Sequence, residues 1–309
     1  MQERERIAGL VLARPGRLLG MEPFMADVVQ GIEEVFAGRG CSLLIEFAAD
    51  TTAEIEIWRR WVANGYVDGI VMVDLRATDR RLDELQRLGV PAVLLGGPEL
   101  KAPITNVLVD NAEGARAAVR ALADLGHADI ARVSGPRDML HCLARDDAFM
   151  ATCAERDVRA RVIEGDYSED SGRDATKQLL TGSQVPTAVV FDNDLMAIGG
   201  LAAAKELGVA VPEQLSVIAW DDTAVARLAT PPLSVVTVDV HGLGTIVGEA
   251  ILAVIEGAGP TTHHVPQPTI RLANSTAPPA ARADRHGSVK GSGEADRGEG
   301  VGPGLQGGE

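Results

Sequence analysis

Residues 187–222 read TAVVFDNDLMAIGGLAAAKELGVAVPEQLSVIAWDD. Two apolar runs, Thr187–Phe191 and Leu215–Trp220, enclose a segment that begins with an Asp-Asn-Asp triplet and ends at Gly208. Continuous apolar runs of this length are typical of strands buried on both faces of a parallel sheet. Asp and Asn suit a helix N-terminus because they accept hydrogen bonds from its free N–H groups. The stretch therefore predicts a strand, a helix and a second, parallel strand.

The same pattern recurs along most of the chain. The first four strand candidates start at residues 7, 41, 68 and 91, and a step of about 30 residues fits repeated βαβ units. Between the first two, an apolar stripe at helical spacing runs from Phe24 to Val35. The strand candidates outside the quoted stretch and before residue 187 are Ile7–Ala13, Cys41–Phe47, Asp68–Val73, Pro91–Leu95, Ile130–Ser134 and Val158–Ile163.

Four strand–helix units precede residue 100 and about four follow residue 128, which predicts two doubly wound, parallel-sheet α/β lobes. After residue 230 the order changes to a strand at Leu233–Val238, a helix at Gly244–Glu256 and a last strand at Val265–Leu272. Returning segments of this kind indicate a hinge that the chain crosses several times.

These elements define the predicted domain boundaries. Residues 5–109 and 239–262 are assigned to the first lobe, and residues 110–238 and 263–277 to the second lobe. In residues 278–309, Pro, Gly, Ser and charged residues replace the apolar ones, so this segment is expected to be a disordered tail.

Charge and cysteine content limit the partners and the compartment. A net charge of −15 repels nucleic-acid phosphates, so this chain is not expected to bind DNA unaided. Cys41, Cys142 and Cys153 form no C-x-x-C pair and fit buried thiols in a reducing cytoplasm. The apolar run at residues 7–13 is too short to cross a bilayer, and neither a membrane anchor nor a secretory signal is expected.

Motifs for catalysis and metal binding are not found in the sequence. It contains no P-loop, no dinucleotide-binding glycine motif and no nucleophile elbow. His263 and His264 lack the further ligands that a zinc site needs. Asp221 and Asp222 are neighbours in sequence, which does not establish the facing carboxylates of a glycosidase. We therefore expect no enzymatic activity, no cofactor and no metal.

Polar side chains follow several strand candidates directly. Asn193 and Asp194 follow one, Asp221 follows the next, and Tyr167 lies just beyond Val158–Ile163. Ligands of doubly wound sheets bind at the carboxyl ends of the strands. A sugar presents hydroxyls that donate and accept together with an apolar face, so acids and amides around an aromatic ring suit it.

A series of short motifs occurs in a fixed order between residues 7 and 277. They are Glu22-Pro23-Phe24-Met25, Val67-Asp68-Gly69-Ile70, Val109-Asp110-Asn111, Leu125-Gly126-His127, Asp192-Asn193-Asp194, Ser216-Val217-Ile218-Ala219-Trp220-Asp221-Asp222 and Thr230-Pro231-Pro232-Leu233. Their order and spacing resemble the effector-binding core of LacI/GalR-type transcriptional regulators, which implies the periplasmic-binding-protein-like type I fold.

The resemblance also implies a set of ligand-binding residues, in which Asp221 accepts from two hydroxyls and Arg145 donates to the ligand. The set consists of Phe24, His141, Arg145, Tyr167, Asn193 and Asp221, with Glu22, Asp192 and Asp194 as further candidates. The structural alternatives are a turn cap at Asp221, a helix N-cap at Asn193, a surface ion pair of Arg145 with Asp146 or Asp147, loop packing at Tyr167, core packing at Phe24 and an ordinary histidine at His141.

The chain departs from the family pattern around the expected pocket. Residues 14–21 form an insertion, and Glu22 replaces the family's Asn. Leu95 lies where some sugar-binding members place an Asp, and Val238 where several have a Gln. The identity of the ligand is therefore not fixed by the resemblance.

The function implied is that of the ligand sensor of a homodimeric, cytoplasmic transcriptional regulator, most simply a repressor. A mono- or disaccharide effector would close the cleft and change operator affinity allosterically. Operator DNA would be reached through an N-terminal helix-turn-helix, which the sequence does not contain. The alternatives are a periplasmic-type sugar-binding transport receptor and, more remotely, a sugar-processing enzyme.

Overall fold

The computed structural model describes residues 4–13, 23–97 and 103–280. Two six-stranded sheets, each covered by helices on both faces, account for these residues. This is the predicted fold class, and the predicted pair of doubly wound lobes is confirmed.

The first lobe is built around the first sheet. Its elements are β1 (Arg6–Ala13), α1 (Pro23–Phe36), β2 (Cys41–Ala48), α2 (Thr51–Asn64), β3 (Gly69–Met72), α3 (Arg80–Leu88), β4 (Ala92–Leu95), β5 (Thr105–Leu108), α9 (Val240–Ile255) and β11 (Thr262–His264).

The second lobe is built around the second sheet. Its elements are α4 (Asn111–Asp124), β6 (Asp129–Ser134), α5 (Leu140–Glu155), β7 (Arg159–Glu164), α6 (Glu169–Thr181), β8 (Ala188–Phe191), α7 (Asp194–Glu206), β9 (Ser216–Trp220), α8 (Ala224–Leu228), β10 (Ser234–Thr237) and β12 (Thr269–Arg271).

Strand order places a switch point in each sheet. The first sheet runs β11-β5-β4-β3-β1-β2 and is parallel throughout, and the second runs β12-β10-β9-β8-β6-β7 with only β12 antiparallel. The order reverses between β1 and β3 in the first sheet and between β6 and β8 in the second. Loops diverge there at the carboxyl ends of the strands and leave a crevice where ligands bind in such sheets.

Each sheet is buried on both faces, which explains the continuous apolar runs. In the first sheet, Val71 faces α1 and α9, whereas Ile70 and Met72 face a second cluster that contains Trp58 and Trp61 of α2. The second sheet is covered by α4 and α5 on one face and by α6 and α7 on the other. Both lobes therefore have complete cores of their own.

Three elements differ from the sequence-based expectation. β5 was not predicted, because its sequence TNVL contains two polar residues, although Asn106 is buried and donates to the Ile104 carbonyl at 2.7 Å. The helix predicted from Gly244 begins at Val240, where the Asp239 carboxylate caps it. The predicted last strand at Val265–Leu272 is too long, since only β12 at Thr269–Arg271 forms within it, and the preceding β11, which was not predicted, lies in the other sheet.

The chain passes between the lobes three times, between β5 and α4, between β10 and α9, and between β11 and β12. β11 pairs with β5, so the third crossing follows His264 and not residue 262. The predicted lobe assignment otherwise stays a proposal. The expected tail from 278 lies almost wholly in residues 281–309, outside the described part of the chain.

A fourth contact joins the lobes away from these crossings. We call it the clasp, and it consists of residues 75–77 of the first lobe and 138–140 of the second. Leu140 N–H donates to the Leu75 carbonyl at 2.8 Å, and Ala77 N–H donates to the Asp138 carbonyl at 2.9 Å. Arg76 forms an ion pair with Asp138, and the Leu140 side chain packs against the first-lobe core.

Buried charges tie the central strands of the second lobe to α5. Arg132 on β6 is fully buried and donates to both carboxylate oxygens of Asp192, at 2.9 and 2.6 Å. It also forms an ion pair with Asp146 of α5. Asp192 accepts a further hydrogen bond from Gly135 N–H at 3.1 Å. These bonds fix the position of α5 against β6 and the end of β8.

Arg132→Met tests this network. The variant removes the buried cation that Asp192 and Asp146 share, and leaves only Arg145 at 3.7 Å from Asp192 and the half-exposed Arg137 beside Asp146. Loss of one partner from a buried pair costs about 3–5 kcal/mol of unfolding free energy. Arg156→Met is the matched control, because its pair with Asp124 is exposed and such pairs contribute about 0–1 kcal/mol. Urea unfolding measures both. Equal stability of the two variants would contradict the role given to Arg132.

Candidate functional site

A cavity of about 110 Å³ lies between the lobes, at the carboxyl ends of the strands around both switch points. All six residues predicted as ligand-binding line it, as do Asp192 and Asp194. The structure thus brings together side chains from α1, α5, α7 and the ends of β7, β8 and β9. Their role in binding stays a prediction. Glu22 and the insertion at 14–21 lie outside the described residues.

The guanidinium of Arg145 is fixed on three sides. Nε donates to Oδ1 of Asn111 at 2.8 Å, and Nη1 lies 3.7 Å from Oδ2 of Asp192. Cζ lies 3.6 Å from the centroid of the Trp220 ring, a cation–π contact. Within the described chain, Nη2 has no hydrogen-bond acceptor. Arg145 is therefore not a surface ion pair with Asp146 or Asp147, and it lines the cavity with one nitrogen that these contacts leave unused.

Asp221 lines the same cavity and has an unsatisfied carboxylate oxygen buried beside it. It follows β9 with a φ of 72° and is 8% exposed. Its Oδ1 has no hydrogen-bond partner among the described residues. Burial raises the pKa of Asp221 to about 7, against the opposing charge of Arg145 and with further upward contributions from Asp194 and Asp192. A buried acceptor without a donor is costly, and a ligand donor would remove that cost.

Tyr167, His141 and Asn193 form one hydrogen-bonded group. The Tyr167 hydroxyl lies 2.6 Å from Nε2 of His141 and 3.1 Å from Sγ of Cys142. Asn193 caps α7, since its Oδ1 accepts from Met196 N–H at 2.9 Å, and its Nδ2 donates to the Tyr167 carbonyl at 2.9 Å. Asn193 is thus a helix cap that also lines the cavity, and its amide is already engaged.

The two further aspartates serve mainly as internal partners. Burial alone would raise the pKa of Asp192, but the charges of Arg132 and Arg145 hold it below its usual value. Asp194 accepts a hydrogen bond from Thr223, and burial raises its pKa. Both carboxylates therefore support the wall of the cavity.

Three cavity residues adopt a left-handed backbone conformation that is uncommon outside glycine. Asp74, Tyr167 and Asp221 have φ values of 55°, 67° and 72°, and only Asp157 shares this feature among the other non-glycine residues of the described chain. Asp tolerates this region better than a bulky residue such as Tyr. Such strained positions cluster at functional sites, which supports this cavity as the site.

The opposite wall comes from the first lobe and is mostly apolar. Its side chains belong to the first-lobe core or pack against it. Phe24 is half-buried, packs against this core and also lines the cavity. Its position therefore agrees with both the predicted ligand contact and the core-packing alternative. The apolar side chains of this wall include Phe24, Val73, Leu95, Val238 and Leu243.

Sequence reasoning missed three polar or aromatic residues of the cavity. Trp220 was interpreted only as part of a strand, and Asn111 only as part of the Val109-Asp110-Asn111 motif, yet both hold Arg145. Asp74 follows β3 as Asp221 follows β9, and that shared position at a strand's carboxyl end was a usable signal. The partnership of Trp220 with Arg145 joins residues 75 positions apart in the chain (220 − 145) and leaves no local signal.

Asp222 does not face Asp221. Its carboxylate pairs with Arg271 on β12 and Arg227 on α8, whereas the Asp221 carboxylate lines the cavity. Searching the described ranges finds no cluster of His, Cys, Asp and Glu suited to a metal ion. The same ranges contain no helix long and apolar enough to cross a membrane.

Comparison with known proteins agrees with this architecture. Residues 119–276 match the family described as periplasmic binding protein-like domain. The chain is 30% identical over 226 residues to the HTH-type transcriptional repressor PurR of Salmonella arizonae. The aligned residues make up 72% of this chain and 66% of that relative. A PurR from Erwinia tasmaniensis is 30% identical over 219 residues, or 69% of this chain and 64% of the relative. The chain thus spans slightly less than two thirds of the length of these curated relatives.

Solved structures show the same likeness. A LacI family transcriptional regulator from Bifidobacterium animalis subsp. lactis superposes with a TM-score of 0.81 at 32% identity, covering 90% of this chain and 100% of that one. A complex of the transcriptional regulator CelR with cellobiose superposes with a TM-score of 0.80 at 27% identity, covering 88% and 85%.

Two doubly wound lobes around a polar cleft define a periplasmic-binding-protein-like ligand-binding domain. The chain belongs to the LacI family of transcriptional regulators, as its relatives and the matched domain show.

Asp221→Asn tests the buried carboxylate. Because the folded-state pKa of Asp221 is raised above its unfolded value of about 3.9, its contribution to stability is present at low pH and is lost as pH rises through about 7. The Asn side chain does not titrate, so the variant does not lose stability in this pH range. Relative to wild type, the melting temperature of the ligand-free variant should therefore rise between pH 5 and pH 8, by at least about 2 °C.

Asp222→Asn is the matched control, of opposite sign. Although burial opposes the shift, Arg271 and Arg227 hold the pKa of Asp222 below its usual value, so Asp222 stabilises the fold at pH 8 and less so in acid. The melting temperature of Asp222→Asn should therefore lie further below that of wild type at pH 8 than at pH 3. Parallel pH profiles for the two variants would contradict the assignment.

Proposed function

We propose that this chain is the effector-sensing part of a LacI-type, DNA-binding transcriptional repressor. It binds a small polyhydroxylated effector, a mono- or disaccharide, in the cleft between its lobes. Lobe closure around the effector changes operator affinity in a homodimer. We expect contact with DNA through a helix-turn-helix, the element that the names of the curated PurR relatives give for those proteins. The protein works in the cytoplasm.

The observation that carries the proposal is the pair of unused polar groups in the cavity. Asp221 offers a buried acceptor, and Nη2 of Arg145 offers a donor fixed by its neighbours. A sugar hydroxyl both donates and accepts, so one or two hydroxyls satisfy both groups. Cellobiose bound to CelR, a protein of the same fold at 27% identity, supports a sugar in this cleft.

Binding without turnover is the second part of the proposal. The relatives are transcriptional repressors, and Asp222 is committed to two arginines instead of facing Asp221. We therefore expect a bound sugar to be recovered chemically unchanged.

The geometry supports coupling by closure. Groups from both lobes line the cavity, so a ligand that contacts both favours the arrangement in which they approach each other. The clasp lies beside this cavity, because Asp74 precedes one half of it and His141 follows the other. Ligand and clasp thus stabilise the same closed arrangement, and coupling of about 1–3 kcal/mol is typical of such linkage.

The binding test compares Asp221→Ala and Arg145→Ala with wild type against a panel of mono- and disaccharides. We expect at least one sugar to raise the wild-type melting temperature, and each variant to bind it at least about tenfold more weakly, as for loss of a hydrogen bond to a charged group. Asp222→Ala is the neighbouring control and should bind normally. If no sugar binds to wild type, or both cavity variants bind as it does, the proposed site is wrong.

Leu140→Ala tests closure without touching the cavity lining. Loss of its packing against the first-lobe core should favour the open arrangement, which increases the radius of gyration of the ligand-free protein in X-ray solution scattering and weakens effector binding about threefold or more. Leu180→Ala is the control, because Leu180 is a partly buried leucine that packs only within its own lobe. If the two variants bind and scatter alike, the clasp does not stabilise the closed arrangement.

A further inference from the structure

We propose that the effector is a sugar with one apolar edge, of the 6-deoxyhexose class, bound with its hydroxyls toward the second lobe and its methyl group toward the first. This inference rests on the proposed function and specifies which sugars the site selects. It follows from the unequal chemistry of the two cavity walls.

The first-lobe wall offers little to a hydroxyl. Of the first-lobe residues that line the cavity within the described ranges, Asp74 alone has a polar side chain. Val73, Leu95 and Val238 are at most 8% exposed, so they present compact apolar surface that continues into the first-lobe core. A hydroxyl pressed against this surface loses its bonds to water and gains none in return.

The second-lobe wall is polar, but most of its polar groups are already used. The Asn193 amide bonds Met196 and Tyr167, and the Tyr167 hydroxyl lies against His141 and Cys142. The carboxylate of Asp221 and Nη2 of Arg145 are among the side-chain groups of this wall for which the described residues supply no hydrogen-bond partner.

These two groups lie close enough for the charge of Arg145 to act on Asp221. An acceptor and a donor that line the same wall of the cavity suit two hydroxyls on one edge of a ring. A hexose with hydroxyls around its whole rim would leave several of them without partners. A sugar in which a methyl group replaces the hydroxymethyl group has fewer such hydroxyls and adds apolar contact.

The size of the preference follows from the kind of wall. An apolar pocket binds a ligand with one added hydroxyl up to about a hundredfold more weakly. Larger differences require a polar group of the pocket that loses its hydrogen bond, and an apolar wall has none. We therefore expect the deoxy sugar to bind about 10- to 100-fold more tightly than the parent sugar with the same ring configuration.

The test uses pairs of sugars that differ by one hydroxyl, measured by calorimetry on the wild-type chain. The pairs are L-rhamnose with L-mannose, L-fucose with L-galactose, D-fucose with D-galactose, and 6-deoxy-D-glucose with D-glucose. In the pair that binds most tightly, the dissociation constant of the deoxy sugar should be at least tenfold lower than that of the parent sugar. If the parent sugar binds equally or better there, the inference is overturned while the proposed function stands. If no sugar of the four pairs or of the wider panel binds, both are overturned.

Two isosteric variants locate the preference in the first-lobe wall. Val238→Thr and Val73→Thr each place a hydroxyl on that wall, which gives a sugar hydroxyl a partner, and at least one should reduce the preference for the deoxy sugar threefold or more. Val35→Thr is the control, because Val35 belongs to the same core at 5% exposure but does not line the cavity. An unchanged preference in both folded wall variants would overturn the proposed orientation.

Discussion

The buried charges around Arg132 determine where the polar half of the site lies. Arg132 can satisfy Asp192 and Asp146 together only when α5 takes one position against β6 and β8. Buried ion pairs add little net stability compared with apolar packing, but an unpaired member is strongly unfavourable. The network therefore acts as a geometric constraint. Because α5 also carries His141 and Arg145, their positions follow from this constraint.

Rigidity around the cavity extends from that constraint outward. Arg145 is stacked on Trp220, whose ring lies so close to Gly114 of α4 that a Cβ there would be 2.7 Å from it. The Tyr167 ring lies over Gly135 in the same manner, and a Cβ on that glycine would overlap the ring. These glycines permit close packing of aromatic rings beneath the cavity. A site assembled this tightly before the ligand arrives loses little side-chain entropy on binding.

The sequence was sufficient for the fold because the deciding signals are local. Continuous apolar runs follow from burial on both sheet faces, and Asp or Asn at helix starts follows from capping, as Asn193 of the Asp-Asn-Asp triplet is an observed N-cap. β5 was missed because burial of Asn106 is compensated by a hydrogen bond that the sequence does not display. The division between β11 and β12 depends on pairing with strands far away in the chain.

For the site, the position of a residue at the carboxyl end of a predicted strand was informative. It predicted from the sequence alone that Tyr167, Asn193 and Asp221 lie close together. The distinction between engaged and unused polar groups was not accessible in that way, since it depends on contacts such as that of Arg145 with Asn111. The clasp has a kinetic consequence as well. If a ligand is enclosed by both lobes as proposed, opening of the bonds between residues 75–77 and 138–140 would precede its release, and these bonds would then lengthen its residence time.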